Sequence, residues 1–203
     1  DVDGTTSVAL MFQFLRSRIK NLDYYIPDRY SEGYGISPQS IDFASEEKVS
    51  LVIALDCGIK AVEKIKNAKE RGIDFIICDH HNPDAVIPDA VAVLDPKRPD
   101  CNYPFKELSG CGVGFKLLQA YTIKNDVPIV ELYDLLDMVV VSIASDIVPV
   151  VGENRVLAYY GLRKLNSNPS LGLKTIIQLS GLVGQDISVS DIVFKIGPRL
   201  NAS

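Results

Sequence analysis

Two short apolar runs, at residues 50–55 and 74–78, flank an amphipathic segment at 61–71 that Gly72 closes, and each run ends in an aspartate. Apolar strands joined by a helix form parallel pairs buried on both faces. This strand–helix–strand unit therefore commits the region to a parallel sheet covered by helices. It also fixes where chemistry belongs, because open α/β sheets place their sites beyond the carboxyl ends of the strands. The first run ends in Asp56-Cys57-Gly58 and the second in Asp79-His80-His81, which holds both histidines of the chain.

The remaining elements follow from periodicity and punctuation. Residues 7–20 read as a helix capped by Thr5, Thr6 or Ser7, and residues 22–26 as a short strand. Residues 27–35, with Gly33-Tyr34-Gly35, read as a loop, and Ser37-Pro38 opens a short helix. A further strand spans 90–94. Beyond Gly112 the pattern turns helical, at 113–125, 129–145, 153–165, 173–182 and 190–196. The expected fold is α/β, a parallel sheet flanked by helices, followed by an all-helical C-terminal part. Residues 1–110 form the α/β metal-binding part, and residues 111–203 a helical part of the same domain.

The chain opens on Asp1-Val2-Asp3-Gly4 with no strand before it, so a longer parent is expected. No apolar run approaches the roughly 18 residues that span a bilayer, and no signal peptide is evident. The four cysteines form no C-x-x-C pair, which disfavours a zinc ribbon and fits reduced thiols in a cytoplasmic protein. The net charge of -5 means that a polyanion would need a local basic patch or bound cations.

Asp1, Asp3, Asp56, His80 and Asp146 all fall at element ends; Asp146 follows a very apolar helix. Each has a structural alternative as a turn residue or helix cap. A buried carboxylate, however, needs a cation or a set of donors. Several carboxylates with a histidine at one edge suit hard or borderline divalent ions, Mn²⁺ or Mg²⁺, and two such ions can clamp a phosphate.

In order, Asp1-x-Asp3-Gly4, the strand-end Asp56, the triplet Asp79-His80-His81 and Asp146 resemble the DHH phosphoesterase superfamily. Within it, further segments resemble the bacterial single-strand-specific 5′→3′ exonucleases of DNA repair and recombination. They are Arg29 with 31–37, 95–99, 103–108, 110–116, 152–155 and Gly197-Pro198-Arg199-Leu200-Asn201-Ala202. The resemblance covers essentially the whole chain. It implies that two ions, Mn²⁺ or Mg²⁺, are held by Asp1, Asp3, Asp56, His80 and Asp146, with Asp56 bridging. It implies that His81 contacts the scissile phosphate and that water attacks in line, releasing 5′-mononucleotides. Asp56, His81 and Asp146 are then the catalytic residues. Arg199 and Asn201 lie near the site, and Arg29, Lys97 and Arg98 are candidates for phosphate contact. Implied partners are single-stranded DNA, a single-strand-binding protein and a helicase.

Relatives usually carry a histidine just before the position of Asp1, which this sequence does not reach. They continue into a DHHA1 domain and an OB-fold beyond its last residue. Weak or no processive activity is therefore expected of this piece alone. The alternatives are another enzyme of the superfamily (an oligoribonuclease and nucleotide phosphatase, a cyclic dinucleotide phosphodiesterase, a manganese pyrophosphatase) or a non-catalytic module of the same fold. A response-regulator-like or dehalogenase-like aspartate site ranks last, because it gives His80 and His81 no role.

Overall fold

The computed structural model describes residues 1–202. Three strands, β1 (Leu51–Leu55), β2 (Asp74–Cys78) and β3 (Ala92–Leu94), form a parallel sheet in the order β1-β2-β3. The register pairs Leu55 with Cys78 and Cys78 with Leu94. All three strands thus finish at one level, and the polar residues that follow them emerge along one edge.

Helices cover the sheet on both faces. On one face α2 (Pro38–Glu46) and α3 (Val62–Glu70) bury Ile41, Ala44, Ile65 and Ala68 against Phe75 and Ile77. On the other lie α1 (Val2–Leu15) and α4 (Gly110–Lys124), which contact each other and β1. Behind them come α5 (Ile129–Tyr133), α6 (Leu136–Ser145), α7 (Gly152–Ser167) and α8 (Leu171–Leu179). The segments Val189–Asp191, Ile192–Ile196 and Gly197–Asn201 then follow without a break, π-wound in the middle. Helix α6 is the axis of this assembly, with Val139, Val140, Val141 and Ile143 almost wholly inaccessible. Among the described residues no helix is long and apolar enough to cross a membrane.

Three expectations about elements are corrected. Helix α1 starts at Val2 rather than Ser7, because Asp1 Oδ1 accepts from Gly4 N at 3.0 Å and supplies the cap. Thr6 and Ser7 instead bond back to the Val2 and Asp3 carbonyls from inside the helix. It stops at Leu15, where Arg18 folds back to donate to the Phe14 carbonyl and pairs with Glu131. The segment 22–26 pairs with no strand among the described residues. It is pinned by side chains instead: Tyr24 meets Phe12 edge-on, and the Tyr25 hydroxyl donates to Glu32. The helix expected over 129–145 is broken between Tyr133 and Leu136. There the buried Asp137 turns its carboxylate onto the amides of Met138 and Ser170, at 3.0 and 2.6 Å.

Candidate metal centre

Asp56 follows β1 with φ of 59°. This left-handed conformation, which aspartate tolerates better than most residues, swings its carboxylate off the strand. His80 follows β2 by one residue more. Asp3 arrives from the first turn of α1, and Asp146 caps the C-terminus of α6. His80 Nε2 is the hub of these groups. It lies 3.1 Å from Asp56 Oδ1, 3.7 Å from Asp3 Oδ2 and 3.6 Å from Asp146 Oδ2.

Two sets of ligand atoms lie within 4.8 Å of one another: Asp3, His80 and Asp146, and Asp56, His80 and His81. Asp1 belongs to neither set. Its Oδ1 caps α1, and a Cβ added at Gly4 would sit 3.5 Å from both that oxygen and Asp56 Oδ2. Asp1 and Asp56 therefore both reach the open face of Gly4.

The electrostatics reflect burial first and crowding of like charge second. Burial, reinforced by Asp3, pushes the Asp56 carboxyl up to about 6. Burial and then Asp3 also raise Asp146. Burial pulls the His80 ring down, but the Asp56 contact and the charges of Asp3, Asp56 and Asp146 outweigh it, pushing His80 up to about 9. Asp56 Oδ1 and both ring nitrogens of His80 are buried without an aligned hydrogen bond among the described residues. Buried polar atoms left this way are costly, and a cation among them satisfies both the lone pairs and the charge. Three carboxylates and an imidazole, with no thiolate, match the preferences of Mn²⁺ and Mg²⁺ more than those of a structural zinc site. The residues present fit a divalent cation.

His80 and His81 are adjacent yet differently placed. The His81 side chain is 57% exposed and its Nδ1 is tied to Asp79 Oδ1 at 2.7 Å. Asp79 is buried and also accepts from the amides of His80, His81 and Ile59. Burial would raise Asp79, but the His81 ring and the Ile59 and His81 amides prevail and hold it low. Asp79 in turn raises His81. The first residue of the triplet thus orients the third, whose ring stays exposed beside Asp56 and His80.

Several supporting residues escaped the sequence reading. Asp3 is held by the start of α4: Oδ2 accepts from Gly110 N at 2.7 Å and Oδ1 from Cys111 N at 2.8 Å. A carboxylate at a helix N-terminus is stabilised by unpaired amides and the helix dipole. Ser142 donates to Asp3 Oδ1 at 2.7 Å and lies 2.6 Å from Ser109, which caps α4. Two signals could have found these groups. Ser109-Gly110-Cys111-Gly112 has the form of a cap followed by a close backbone approach, and Ser142 stands one helical turn before Asp146 on the same face. Gly110 is required sterically, since a Cβ there would lie 2.6 Å from Asp56 Oδ1.

The remaining expected substrate residues are Arg29, Asn201 and Arg199, the last two on the segment Gly197–Asn201, which packs on α1 and α6. Arg29 and Asn201 are brought together, Arg29 Nη2 donating to Asn201 Oδ1 at 2.8 Å. Arg199 is exposed and donates to the Lys195 carbonyl of its own helix. A groove of about 1680 Å³ runs from Asp1, Asp56 and His81 past Tyr34 to Arg29.

The "DHH family, N-terminal domain" profile matches residues 1–143, which contain Asp1, Asp3, Asp56 and the triplet. The chain belongs to the DHH family. This DHH chain is 43% identical over 202 residues to the single-stranded-DNA-specific exonuclease RecJ of Bacillus subtilis. It is 35% identical over 214 residues to the Escherichia coli exonuclease of the same name. All of the chain is covered in both comparisons, but it spans only 25% and 37% of those relatives. A crystal structure of exonuclease RecJ bound to manganese superposes with a TM-score of 0.87 at 29% identity, covering all of this chain and 50% of that one. RecJ from Thermus thermophilus in complex with Mn²⁺ gives 0.82 at 27% identity, covering all of this chain and 28% of that one.

Proposed function

We propose that this chain is the catalytic DHH module of a RecJ-like exonuclease, a metal-dependent phosphodiesterase that digests single-stranded DNA from the 5′ end during repair and recombination in the cytoplasm. The observation that carries the reading is the cluster of buried Asp3 and His80 with partly buried Asp56 and exposed Asp146, whose orphaned imidazole and carboxylate atoms fit a divalent cation. The likeness to single-strand-specific exonucleases over the entire chain supports the choice of substrate.

Asp1, Asp3, Asp56, His80 and Asp146 would hold two ions, Mn²⁺ or Mg²⁺, with Asp56 shared between them. Bound there, the ions supply Lewis acidity toward a phosphate and lower the pKa of water. The chain's own residues do the positioning. The Gly110 and Cys111 amides and Ser142 fix the Asp3 carboxylate, so that it does not rotate away when charge builds up. Asp79 fixes the His81 ring and keeps it cationic to higher pH, so that its exposed edge meets a non-bridging phosphate oxygen. Residues 1–110 carry most of this chemistry, the Gly110 amide included, and the helical part from residue 111 adds the Cys111 amide, Ser142 and Asp146.

The test is digestion by the full-length protein, in Mn²⁺, of single-stranded, double-stranded and dinucleotide substrates labelled at either end. Release of 5′-mononucleotides from the 5′ end of long single strands is expected. Preference for dinucleotides would favour an oligoribonuclease or cyclic dinucleotide phosphodiesterase, and no hydrolysis of any of them would sink the reading.

A further inference from the structure

A second pocket adjoins the candidate metal centre, of about 700 Å³ and bordered by Asn82, Lys97, Arg98, Cys101, Lys106 and Glu107. Asn82 also lines the groove that contains Asp56 and His81, so the two spaces share a wall. The pocket carries three cations, and two are committed. Arg98 grips Asp100 with Nε and Nη2, at 3.0 and 2.5 Å, and gives Nη1 to the Val93 carbonyl at 2.6 Å. Lys106 donates to the Cys101 carbonyl at 2.6 Å. The Lys97 ammonium has no hydrogen bond or ion pair among the described residues.

The backbone of Lys97, by contrast, is held firmly. β3 ends beside β2, with Asp79 N donating to the Leu94 carbonyl at 3.0 Å. The next residue, Asp95, is only 3% exposed, and its Oδ1 accepts from Lys97 N at 2.7 Å. Such a turn fixes the residue two positions on. Arg98 N closes the same turn on the Asp95 carbonyl at 3.3 Å. The sheet edge that delivers His80 and His81 therefore delivers Lys97 as well, on a rigid turn one strand away. Its charge acts on both Asp95 and Asp146, favouring their ionised forms, so the ammonium is within electrostatic reach of the cluster. A free lysine beside a carboxylate cluster that does not pair with it is available to an anion from outside.

We infer that Lys97 is a substrate-binding residue of this site, its ammonium contacting a phosphate of the nucleic-acid strand next to the one placed at His81. The inference rests on the phosphodiesterase reading above and adds a cation that no carboxylate of the cluster neutralises. Arg98 and Lys106, though equally basic, are committed to Asp100 and Val93 and to the Cys101 carbonyl.

The experiment measures initial rates of the full-length protein on a single-stranded oligothymidylate in Mn²⁺ across a salt series, for the wild type, Lys97→Ala, Lys97→Arg and Lys106→Ala. Lys97→Ala should lower kcat/KM about tenfold, mainly through KM, as expected for loss of one charge-assisted bond. It should also make the slope of log(kcat/KM) against log salt shallower by about 0.7, the value for one phosphate contact on a single strand. Lys97→Arg should restore both, and Lys106→Ala should keep the wild-type slope. An unchanged slope and KM in Lys97→Ala, with an active wild type, would overturn the inference and leave the functional reading standing. So would a Lys97→Ala effect confined to the Mn²⁺ dependence, which would make Lys97 a modulator of Asp146. A wild type that digests no oligonucleotide would remove the functional reading and this one together.

Discussion

His80 and His81 lie side by side, with ring centroids 4.6 Å apart, but they differ in burial and in partners, and that difference separates their roles. His80 turns inward to three carboxylates, and His81 turns outward with one nitrogen fixed by Asp79. Alanine at each position should therefore fail differently. His80→Ala removes the only imidazole at the centre of the cluster and should weaken Mn²⁺ binding by calorimetry at least about 100-fold, beyond the 10- to 100-fold typical of outer-sphere changes. His81→Ala should leave that affinity within a few-fold while turnover drops by about 100-fold or more. Equal loss of metal in both variants would assign His81 to the Asp56 and His80 set, to which its position also gives access. Gly110 makes a complementary case. Gly110→Ala drives a methyl group into Asp56, with contacts of 2.6 Å to its Cβ and Oδ1. Metal affinity should fall at least about tenfold, and the metal-free protein should lose about 1–3 kcal/mol of stability in a denaturant titration. Wild-type values of both would show that the α4 backbone can retreat.

At the scale of elements, α7 meets α6 tightly at Gly161, where a Cβ would fall 2.5 Å from the Leu136 carbonyl and 2.7 Å from Val140 Cβ. Gly161→Ala should separate the two helices and cost about 2–4 kcal/mol in thermal or chemical unfolding, the upper range for an overpacked core. A loss below about 1 kcal/mol would mean that the helices slide apart freely. The need for this glycine leaves no local mark in the sequence, because it is set by a neighbour some twenty residues away. The strand ends were legible for the opposite reason. β1 and β2 are continuous apolar runs terminated by polar residues, so Asp56 and His80 could be placed from local pattern. The start of α1 was misread because its cap, Asp1, doubled as a candidate ligand. The break before α6 was invisible because it depends on Asp137 reaching the Ser170 amide across the fold. The Ser142 and Gly110 contacts to Asp3 were equally hidden, being long-range bonds that leave no periodic trace.

In the whole molecule, the cluster is assembled from four separate elements: the head of α1, the ends of β1 and β2, and the tail of α6. Its members lie at positions 3, 56, 80 and 146, so an unfolded chain cannot present them together. Folding without a cation desolvates carboxylates and gathers them near one another, and burial first and Asp3 second raise Asp56 and Asp146. A cation bound only by the folded state should therefore act as a tie across the entire fold rather than as a local ornament. Binding to the native state alone stabilises by RT ln(1 + [L]/Kd), about 2.7 kcal/mol at 100-fold excess over Kd. For a domain of this size that is a rise in Tm of roughly 5–10 °C. Thermal unfolding over a Mn²⁺ series should show a Tm that climbs logarithmically above Kd and returns to baseline on chelation. Asp56→Asn should blunt the climb while leaving the metal-free Tm equal or higher, since it removes one of the repelling charges. A wild-type Tm indifferent to Mn²⁺ would mean that the orphaned His80 nitrogens are satisfied by something other than a cation, and the metal reading of the cluster would fall.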